Sequence, residues 1–408
     1  MKSSLHSDLG LLASQTFKSL KSFASRERPM RVALVHTMVD AAGGGENLML
    51  NMYRALRELG HEVDIYAAHV DERAWRTLTE GAAQGPRPIL VGEPVVNRLI
   101  PIALTLRTFL AMSYLGKRLK RLKPDLDLII DTYANVPVPW ADASYVHFPA
   151  RCLLSFLSRH RRLQLHERLY FRLIAWMAKR LADSARPVMT NSSWTAEYVR
   201  RAYGSQRVYV VHPPVNVEEL SSIGGDRGRI VLTVSRIVPE KMVAEIPKVA
   251  RLVPEAEFYL IGRTGDYSER TLKVIESEAE GLSNFHVETD VPRRRIIELM
   301  SQASIYLHPP FAEHFGIAIA EAAAAGLVPV VYRDGGGWTD IASRVDQGLG
   351  YSRVEEAAHI IRSLLNDPGR LKGLSAKAKE VGKGFSYERF KIRLNEVISS
   401  LSLDLSAK

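Results

Sequence analysis

Short apolar runs rich in β-branched residues alternate with stretches of helical periodicity along most of the chain. Four runs predict the strands of a first unit, at residues 31–36, 63–67, 126–131 and 187–190. Five more repeat the rhythm in a second unit, at residues 229–234, 257–261, 285–288, 304–308 and 328–332. This alternation is typical of parallel sheets covered by helices. The pattern predicts an α/β protein with two doubly wound, Rossmann-like units in tandem.

A proline pair separates the two series of predicted strands. Pro213 and Pro214 end regular structure and stiffen a connection, so the break between the units is expected at residues 211–214. Ligands of open α/β sheets bind beyond the carboxyl ends of the strands. The functional residues are therefore expected in loops that face a cleft between the two units.

Two segments outside this rhythm combine apolar and basic positions. Residues 1–29 place leucines and phenylalanines at near-helical spacing among lysines and arginines, which fits an interfacial helix or a loosely ordered tail. Residues 99–115 are almost wholly apolar and lead into a basic run at 117–123. That combination suits an anionic bilayer surface, but also a core helix with a solvated basic end. A second basic cluster at 159–162 could share a face with the first.

Composition and charge narrow the class of protein. With 46% hydrophobic and 25% charged residues, the 408-residue chain has the composition of a folded soluble protein, and its single cysteine excludes an internal disulfide. No apolar stretch reaches the roughly 20 residues of a membrane-spanning helix, and the first 30 residues lack a signal-peptide core. We expect a cytoplasmic protein. The net charge of +10 favours an anionic partner, but no nucleic-acid motif accompanies the basic clusters.

The first candidate for chemistry is a glycine loop, Gly43 to Gly45, between the first predicted strand and a helical run at 47–59. Glycines let the backbone approach a ligand closely, and amides at a helix N-terminus attract a phosphate. The alternative is a flexible turn. The spacing is not that of a dinucleotide fingerprint, which weakens an oxidoreductase interpretation.

A pair of cations forms the second candidate. Arg236 and Lys241 follow the first strand of the second unit, where they could neutralise a leaving diphosphate. Taken alone, two such side chains are more often simply solvated.

The third candidate is a pair of glutamates, Glu313 and Glu321, on either side of a predicted helix start. Each carboxylate can accept hydrogen bonds from sugar or ribose hydroxyls, and Glu321 lies in an otherwise apolar helix where a carboxylate needs a partner. For Glu313 the alternative is an ordinary helix-start preference. Backbone amides between the two would face a phosphate, from His314, Phe315, Gly316 and Ile317.

The sequence Asp125-Leu126-Asp127 has the form of a metal-binding carboxylate pair. It starts a predicted strand whose apolar residues indicate burial, and Lys123-Pro124 before it indicates a helix-to-strand turn. We therefore expect no metal site, and a metal-independent reaction in which cations and helix amides stabilise charge.

These features, in this order, resemble the retaining nucleotide-sugar glycosyltransferases of family 4, whose fold is GT-B. Glu313 and Glu321 match the family's E-x7-E element, Arg236 and Lys241 its Arg/Lys pair, and residues 43–45 its glycine loop. The resemblance implies that Arg236 and Lys241 hold the donor diphosphate, Glu313 the transferred sugar and Glu321 the ribose. It also implies that His147 lines the catalytic centre, and that further donor contacts come from Gly44, Gly45, His314, Phe315, Gly316 and Ile317.

The same resemblance gives a domain division. It implies an acceptor domain at residues 30–213 after the basic extension 1–29, a nucleotide-sugar domain at 214–385, and a final segment, 386–408, whose helix near 387–401 returns to the first domain. Two departures affect local shape: Trp338 stands where the family often has proline, and Met242 where it often has glycine.

Smaller pieces at 42–46, 145–149, 191–195 and 313–317 resemble the α-1,2-mannosyltransferases that extend dolichol-linked oligosaccharide. This likeness implies a GDP-mannose donor and a polyprenyl-diphosphate oligosaccharide acceptor at the cytoplasmic membrane face. One alternative is a UDP-sugar-dependent transferase acting on a lipid headgroup or a soluble acceptor. Another is a catalytically silent membrane scaffold, which would have no need of the Arg236, Lys241, Glu313 and Glu321 set.

Overall fold

The computed structural model describes residues 28–40, 42–79, 86–92, 104–122, 125–160, 162–225, 227–265 and 268–406. The predicted extension 1–29 lies almost wholly outside them, as do the start of the apolar segment 99–115 and Arg161 of the second basic cluster. Among the described residues, no helix combines the length and the apolar character needed to cross a membrane.

The first sheet contains seven parallel strands in the order β5-β3-β1-β6-β7-β8-β9. Its strands are β1 Arg31–Val35, β3 Glu62–Ala67, β5 Ile89–Leu90, β6 Leu128–Asp131, β7 Ala143–Val146, β8 Val188–Thr190 and β9 Val208–Val210, and β2 Met38–Val39 pairs separately with β4 His69–Val70. The helices of this part are α1 Gly44–Glu58, α2 Glu72–Thr79, α3 Leu104–Leu122, α4 Leu153–His160, α5 Leu165–Leu181 and α6 Ser193–Tyr203.

The second sheet contains six parallel strands in the order β12-β11-β10-β13-β14-β15. They are β10 Ile230–Arg236, β11 Glu257–Arg263, β12 Phe285–Thr289, β13 Ile305–His308, β14 Val328–Tyr332 and β15 Gly350–Tyr351. Its helices are α7 Val217–Ser221, α8 Ile246–Leu252, α9 Ser268–Glu278, α10 Arg293–Gln302, α11 Ile317–Ala325, α12 Ser343–Val345, α13 Val354–Leu365 and α14 Pro368–Lys383. The strand order is that of a dinucleotide-binding fold.

Helices cover both faces of a parallel sheet, so its strands are nearly continuous in apolar residues. This is why the predicted apolar runs form strands. Strand β13 is buried along its whole length, as is β6. The strands β7 and β9 were not predicted, nor were the two-residue strands β2, β4, β5 and β15. The first two have four and three residues, too few to show a clear period, and parallel pairing with β8 holds both in the sheet.

The last helix, α15 Tyr387–Ser406, packs in the core of the first sheet although it follows the second in sequence. Phe390, Leu394 and Val397 are buried there with residues of α1. The chain thus passes between the two sheets twice, and a bridge between Val215 and Ser386 holds the two passages side by side.

The position of helix α3 corrects part of the expectation that residues 99–123 form a membrane-binding surface. The side chains of Phe109, Met112 and Leu115 are buried in the core of the first sheet, so this part of the apolar segment cannot face lipid. Arg159 of the second basic cluster forms an ion pair with Asp334 of the second part of the chain. The core-helix alternative therefore holds for the described part of the segment.

Candidate active site

Both sheets reverse their strand order next to the first strand, and the candidate residues gather at these two points. In the first sheet the reversal lies between β1 and β6, where the imidazole of His36 is 2.9 Å from the hydroxyl of Thr132. In the second it lies between β10 and β13, which lead to Arg236 and to His308. Crevices at such points are where open α/β sheets bind ligands.

Lys241 and Glu313 meet at the reversal point of the second sheet. The Lys241 Nζ lies 2.5 Å from a carboxylate oxygen of Glu313, and His308 Nε2 lies 3.2 Å from the same oxygen. Burial by itself would raise the pKa of the Glu313 carboxyl, but the charge of Lys241 and the hydrogen bond from His308 hold that pKa well below its usual range. Glu313 is therefore a fixed carboxylate beside a fixed cation.

The turn that delivers Lys241 has an unusual backbone. A short 3-10 turn over Pro239–Lys241 ends at Met242, which has a φ of 48° in the left-handed region. Glycine adopts this region most easily, which explains the glycine that the family often has here. The guanidinium of Arg236, at the end of β10, is exposed and has no ion pair among the described residues.

Glu321 lies one to two turns into α11 and is mostly buried. One of its carboxylate oxygens is 3.1 Å from Arg293, and the same guanidinium is 3.0 Å from Glu219. Burial raises the pKa of the Glu321 carboxyl, and the attraction of Arg293 only partly opposes this. A carboxylate held in this way favours a further hydrogen-bond donor such as a sugar hydroxyl.

The N-terminus of α11 faces the glycine loop of the first sheet. Gly316 caps the helix with a φ of 90°, a conformation that glycine adopts without strain. A Cβ on Gly44 would lie 3.3 Å from Ile317, and a Cβ on Gly45 would lie 3.6 Å from His147. The free amides of the first helical turn thus open beside the glycine loop, as anion binding requires.

The loop that carries Glu313 and His314 is held by the glycines at 335–337. Gly335 has a φ of 108°, and a side chain at that position would collide with the backbone of Glu313. Its neighbour Gly336 donates its amide to the Glu313 carbonyl. Trp338, which stands where the family often has proline, lies in a π-helical turn over Gly337–Ala342.

His147 lies across the cleft at the end of β7. Its Nε2 donates to the carbonyl oxygen of Thr132 at 3.1 Å, and Asn135 accepts from its backbone amide. Burial lowers the pKa of the imidazole to about 4, so the ring is neutral at physiological pH. The ring borders a cavity of about 460 Å³ whose other walls include His36, Glu46, Tyr133, Phe148 and His314.

Side chains from both halves of the chain close the cleft on one side. The ring of His314 stacks on Phe148 with centroids 4.4 Å apart, and its backbone carbonyl accepts hydrogen bonds from Ser192 and Thr195. Ser192 is the N-cap of α6. The loop of Glu313 and His314 is therefore positioned by residues of the first part of the chain as well as by neighbours in the second part.

Asp340 is a second link between the halves and is fully buried. Its carboxylate accepts from the amide and the hydroxyl of Ser193, and from His212 Nε2 at 3.1 Å. Burial opposes ionisation, but the hydrogen bonds from His212, Thr339 and Ser193 outweigh it and lower the pKa of Asp340. Ser193 of α6 and His212 of the connection at residues 211–214 thus both help to stabilise this charge.

We expect Asp340→Asn to lower the free energy of unfolding by about 2 kcal/mol, because a hydrogen-bonded buried charge is lost. Since the pKa of Asp340 in the folded protein lies below the usual value of an aspartate, the difference in unfolding free energy between wild type and variant should be constant at neutral pH. It should shrink as the pH falls through that folded pKa. Denaturant unfolding across this range measures it. The milder Ser193→Ala should cost less, and equal stability of Asp340→Asn and wild type would contradict the role.

The candidate metal pair lies away from this cleft. Asp127 accepts from the backbone amide of Arg31 at 2.7 Å, at the amino ends of β6 and β1. The candidate site lies at the carboxyl ends of the strands. Within the part of the chain that the structure describes, no three His, Cys, Asp or Glu side chains are arranged to hold a metal ion.

Among the residues of the site that were not predicted from the sequence are His308, Arg293, Glu219 and Asp340. His308 could have been found, since it ends a predicted strand five residues before Glu313. The other three are partners brought together by the fold. No local motif marks them.

Two family models match the chain in succession. "Glycosyltransferase Family 4" matches residues 42–219, and "Glycosyl transferases group 1" matches residues 189–381. Together they include each residue of the glycine loop and of the Lys241, Glu313 and Glu321 clusters.

Curated proteins similar to this chain include two named GDP-Man:Man(3)GlcNAc(2)-PP-Dol alpha-1,2-mannosyltransferase. One, from Dictyostelium discoideum, is 23% identical over 57% of this chain and 51% of its own length, so the chain spans about half of that relative. The other, from Homo sapiens, is 24% identical over 81% of this chain and 78% of its own length.

Solved structures share the fold. WaaG, a glycosyltransferase involved in lipopolysaccharide biosynthesis, superposes with a TM-score of 0.63 at 16% identity, covering 88% of this chain and 99% of WaaG. The likeness covers most of this chain and establishes the GT-B architecture predicted from the sequence.

Proposed function

Because the chain belongs to the glycosyltransferases that the family 4 and group 1 models describe, we propose that it transfers mannose from GDP-mannose to a lipid-linked oligosaccharide. The acceptor is a polyprenyl-diphosphate oligosaccharide at the cytoplasmic face of a membrane. The single observation that carries the proposal is the Lys241, Glu313 and His308 cluster beside the N-terminus of α11, opposite the glycine loop.

In the proposed reaction, the donor diphosphate lies against Arg236, Lys241 and the amides of residues 314–317. Negative charge develops on the diphosphate as the bond from the sugar C1 to the phosphate oxygen breaks, and fixed cations and amides stabilise it. Glu313 orients the transferred sugar, and Glu321 accepts from the ribose hydroxyls. These roles agree with the contacts of the two carboxylates: Lys241 and His308 hold that of Glu313, and Arg293 holds that of Glu321.

The acceptor enters the cavity that His147 borders. Its hydroxyl oxygen forms the new bond to C1 on the face that the phosphate leaves, and its proton passes to the leaving phosphate oxygen. The anomeric configuration is retained. The neutral His147 supports this step by positioning, since its Nε2 proton is engaged by the Thr132 carbonyl. We propose a metal-independent reaction, for which persistence of turnover in EDTA is the direct check.

The relatives' printed names favour GDP-mannose, while a UDP-sugar donor is the alternative. We expect GDP and GDP-mannose to raise the melting temperature of the purified protein more than UDP or UDP-glucose at equal concentration, because a ligand bound only to the native state stabilises it. Differential scanning fluorimetry measures the shift. A UDP preference would overturn the donor but keep the enzyme class, and no shift with any nucleotide would favour a silent scaffold.

A further inference from the structure

Helix α5, Leu165–Leu181, has two apolar faces, and only one of them packs in the protein. Ile174 and Ala178 are fully buried in the core of the first sheet. On the outward side, four large apolar side chains are exposed at fractions of 74%, 55%, 44% and 57%: Leu165, Leu169, Leu173 and Trp176. We call these four residues the outer stripe.

The outer stripe is a continuous feature of the helix surface. Its members are spaced by four, four and three residues, and at about 100° per residue they fall within an arc of about 80° opposite Ile174. The other exposed large apolar side chains among the described residues are spread over five other elements, with two on β5 and one on each of the rest: Ile89, Leu90, Leu252, Val274, Val287 and Leu403. Single exposed apolar residues are ordinary, whereas a row on one helix marks an interaction surface.

Basic side chains flank the outer stripe. Arg168, Arg172 and Lys179 are exposed beside it, and none of them forms an ion pair with another described residue. The guanidinium of Arg180 lies 5.5 Å from the ring centre of Trp176. The helix has one carboxylate, Glu167, which accepts from the amide of Gln164 at the helix start. The surface is thus apolar and positive, with no acidic group projecting from its centre.

We infer that the outer stripe docks α5 flat on a bilayer that contains anionic lipid. Leucine and tryptophan side chains enter the boundary between headgroups and acyl chains, while arginine and lysine extend their charges to lipid phosphates. Each basic residue near an anionic surface adds to the attraction. The helix is about 25 Å long, so apolar and basic groups contact one plane at once.

The position of α5 connects this surface to the cleft. The helix packs against the 3-10 turn Ala150–Cys152, which follows the His147 loop, and Ala150 lines the cavity beside His147. A docked α5 would therefore hold the cavity near the headgroup layer, where the sugar of a lipid-linked acceptor lies. This consequence rests on the proposed function. Docking itself does not, since it is measurable without donor or acceptor.

The test is co-sedimentation of the full chain with vesicles of phosphatidylcholine and phosphatidylglycerol in equal parts. We expect the triple variant Leu169→Gln/Leu173→Gln/Trp176→Gln to bind these vesicles at least about tenfold more weakly than wild type, because its apolar contact is lost. A matched control, Leu252→Gln/Val274→Gln, removes exposed apolar groups elsewhere and should bind like wild type. All five positions are exposed, so folding is retained in both variants.

Three further measurements test whether the outer stripe contacts an anionic bilayer or a second copy of the chain. Wild-type tryptophan fluorescence should shift to the blue on vesicle addition, and Trp176→Phe should bind but lose most of the shift. Vesicles of phosphatidylcholine alone should bind weakly. Equal pelleting of the triple variant and wild type, or absence of wild-type pelleting, would overturn the inference. So would a wild-type dimer in sedimentation velocity that the triple variant converts to monomer, since the outer stripe would then join two copies.

The docking result and the proposed function can fail separately. The melting-temperature shift with GDP should be equal in wild type and the triple variant, because the substitutions lie outside the nucleotide site. Loss of vesicle binding with an unchanged GDP shift supports both proposals. Loss of the GDP shift in wild type would end the donor assignment and leave the docking result in place.

Discussion

Lys241→Met is expected to lower kcat/KM for glycosyl transfer by about a thousandfold, since it removes a cation from the site where charge develops on the leaving diphosphate. The same change leaves Glu313 mostly buried without its ion-pair partner at 2.5 Å. The free energy of unfolding should therefore fall by about 3 kcal/mol. Nucleotide release from the donor measures the first effect, and denaturant unfolding measures the second.

A second variant separates catalysis from stability. In Lys241→Met/Glu313→Gln the buried charge is gone together with its partner, so most of the lost stability should return while kcat/KM for transfer stays as low as in Lys241→Met. Lys248→Met is the matched control, because Lys248 pairs with Glu245 on the surface of the second part of the chain and should change neither quantity. Recovery of transfer in the double variant would show that Lys241 acts only as the partner of Glu313.

Glu321→Gln is expected to weaken GDP binding about tenfold, because a charged acceptor for the ribose hydroxyls becomes a neutral one. The melting temperature should change little. Burial raises the pKa of the Glu321 carboxyl, so the native protein gains little from its ionisation, and Arg293 keeps its contact with Glu219. Isothermal titration calorimetry with GDP measures the affinity.

Glu219→Gln is the control for Glu321, since Glu219 is the other carboxylate on Arg293. It should leave GDP affinity near the wild-type value. The pH dependence adds a second check: wild-type affinity should fall as the pH falls through the raised pKa of Glu321, and the Gln variant should lose this dependence. Equal affinities for the two variants would mean that both carboxylates only hold Arg293.

The sequence alone predicted the α/β class, the positions of the longer strands and the place of Glu321 in a helix. These follow from local rules, because a strand buried on both faces must be continuously apolar and a helix start needs a cap. The resemblance carried by the spacing of Arg236, Lys241, Glu313 and Glu321 predicted the GT-B fold, which the structural comparison confirmed. The residue roles stay predictions.

Only the tertiary structure decided which side chains meet. The contacts of Glu321 with Arg293, and of Asp340 with Ser193 and His212, could not be predicted from the sequence. They join elements that lie far apart in the chain. It also decided which apolar residues face solvent. The apolar run of α3 suggested a surface that contacts lipid, but its side chains pack in the core. The sequence of α5 is that of an ordinary amphipathic helix, yet its outer stripe is exposed. Periodicity shows that a helix has an apolar face, but the packing of its neighbours determines whether that face is covered.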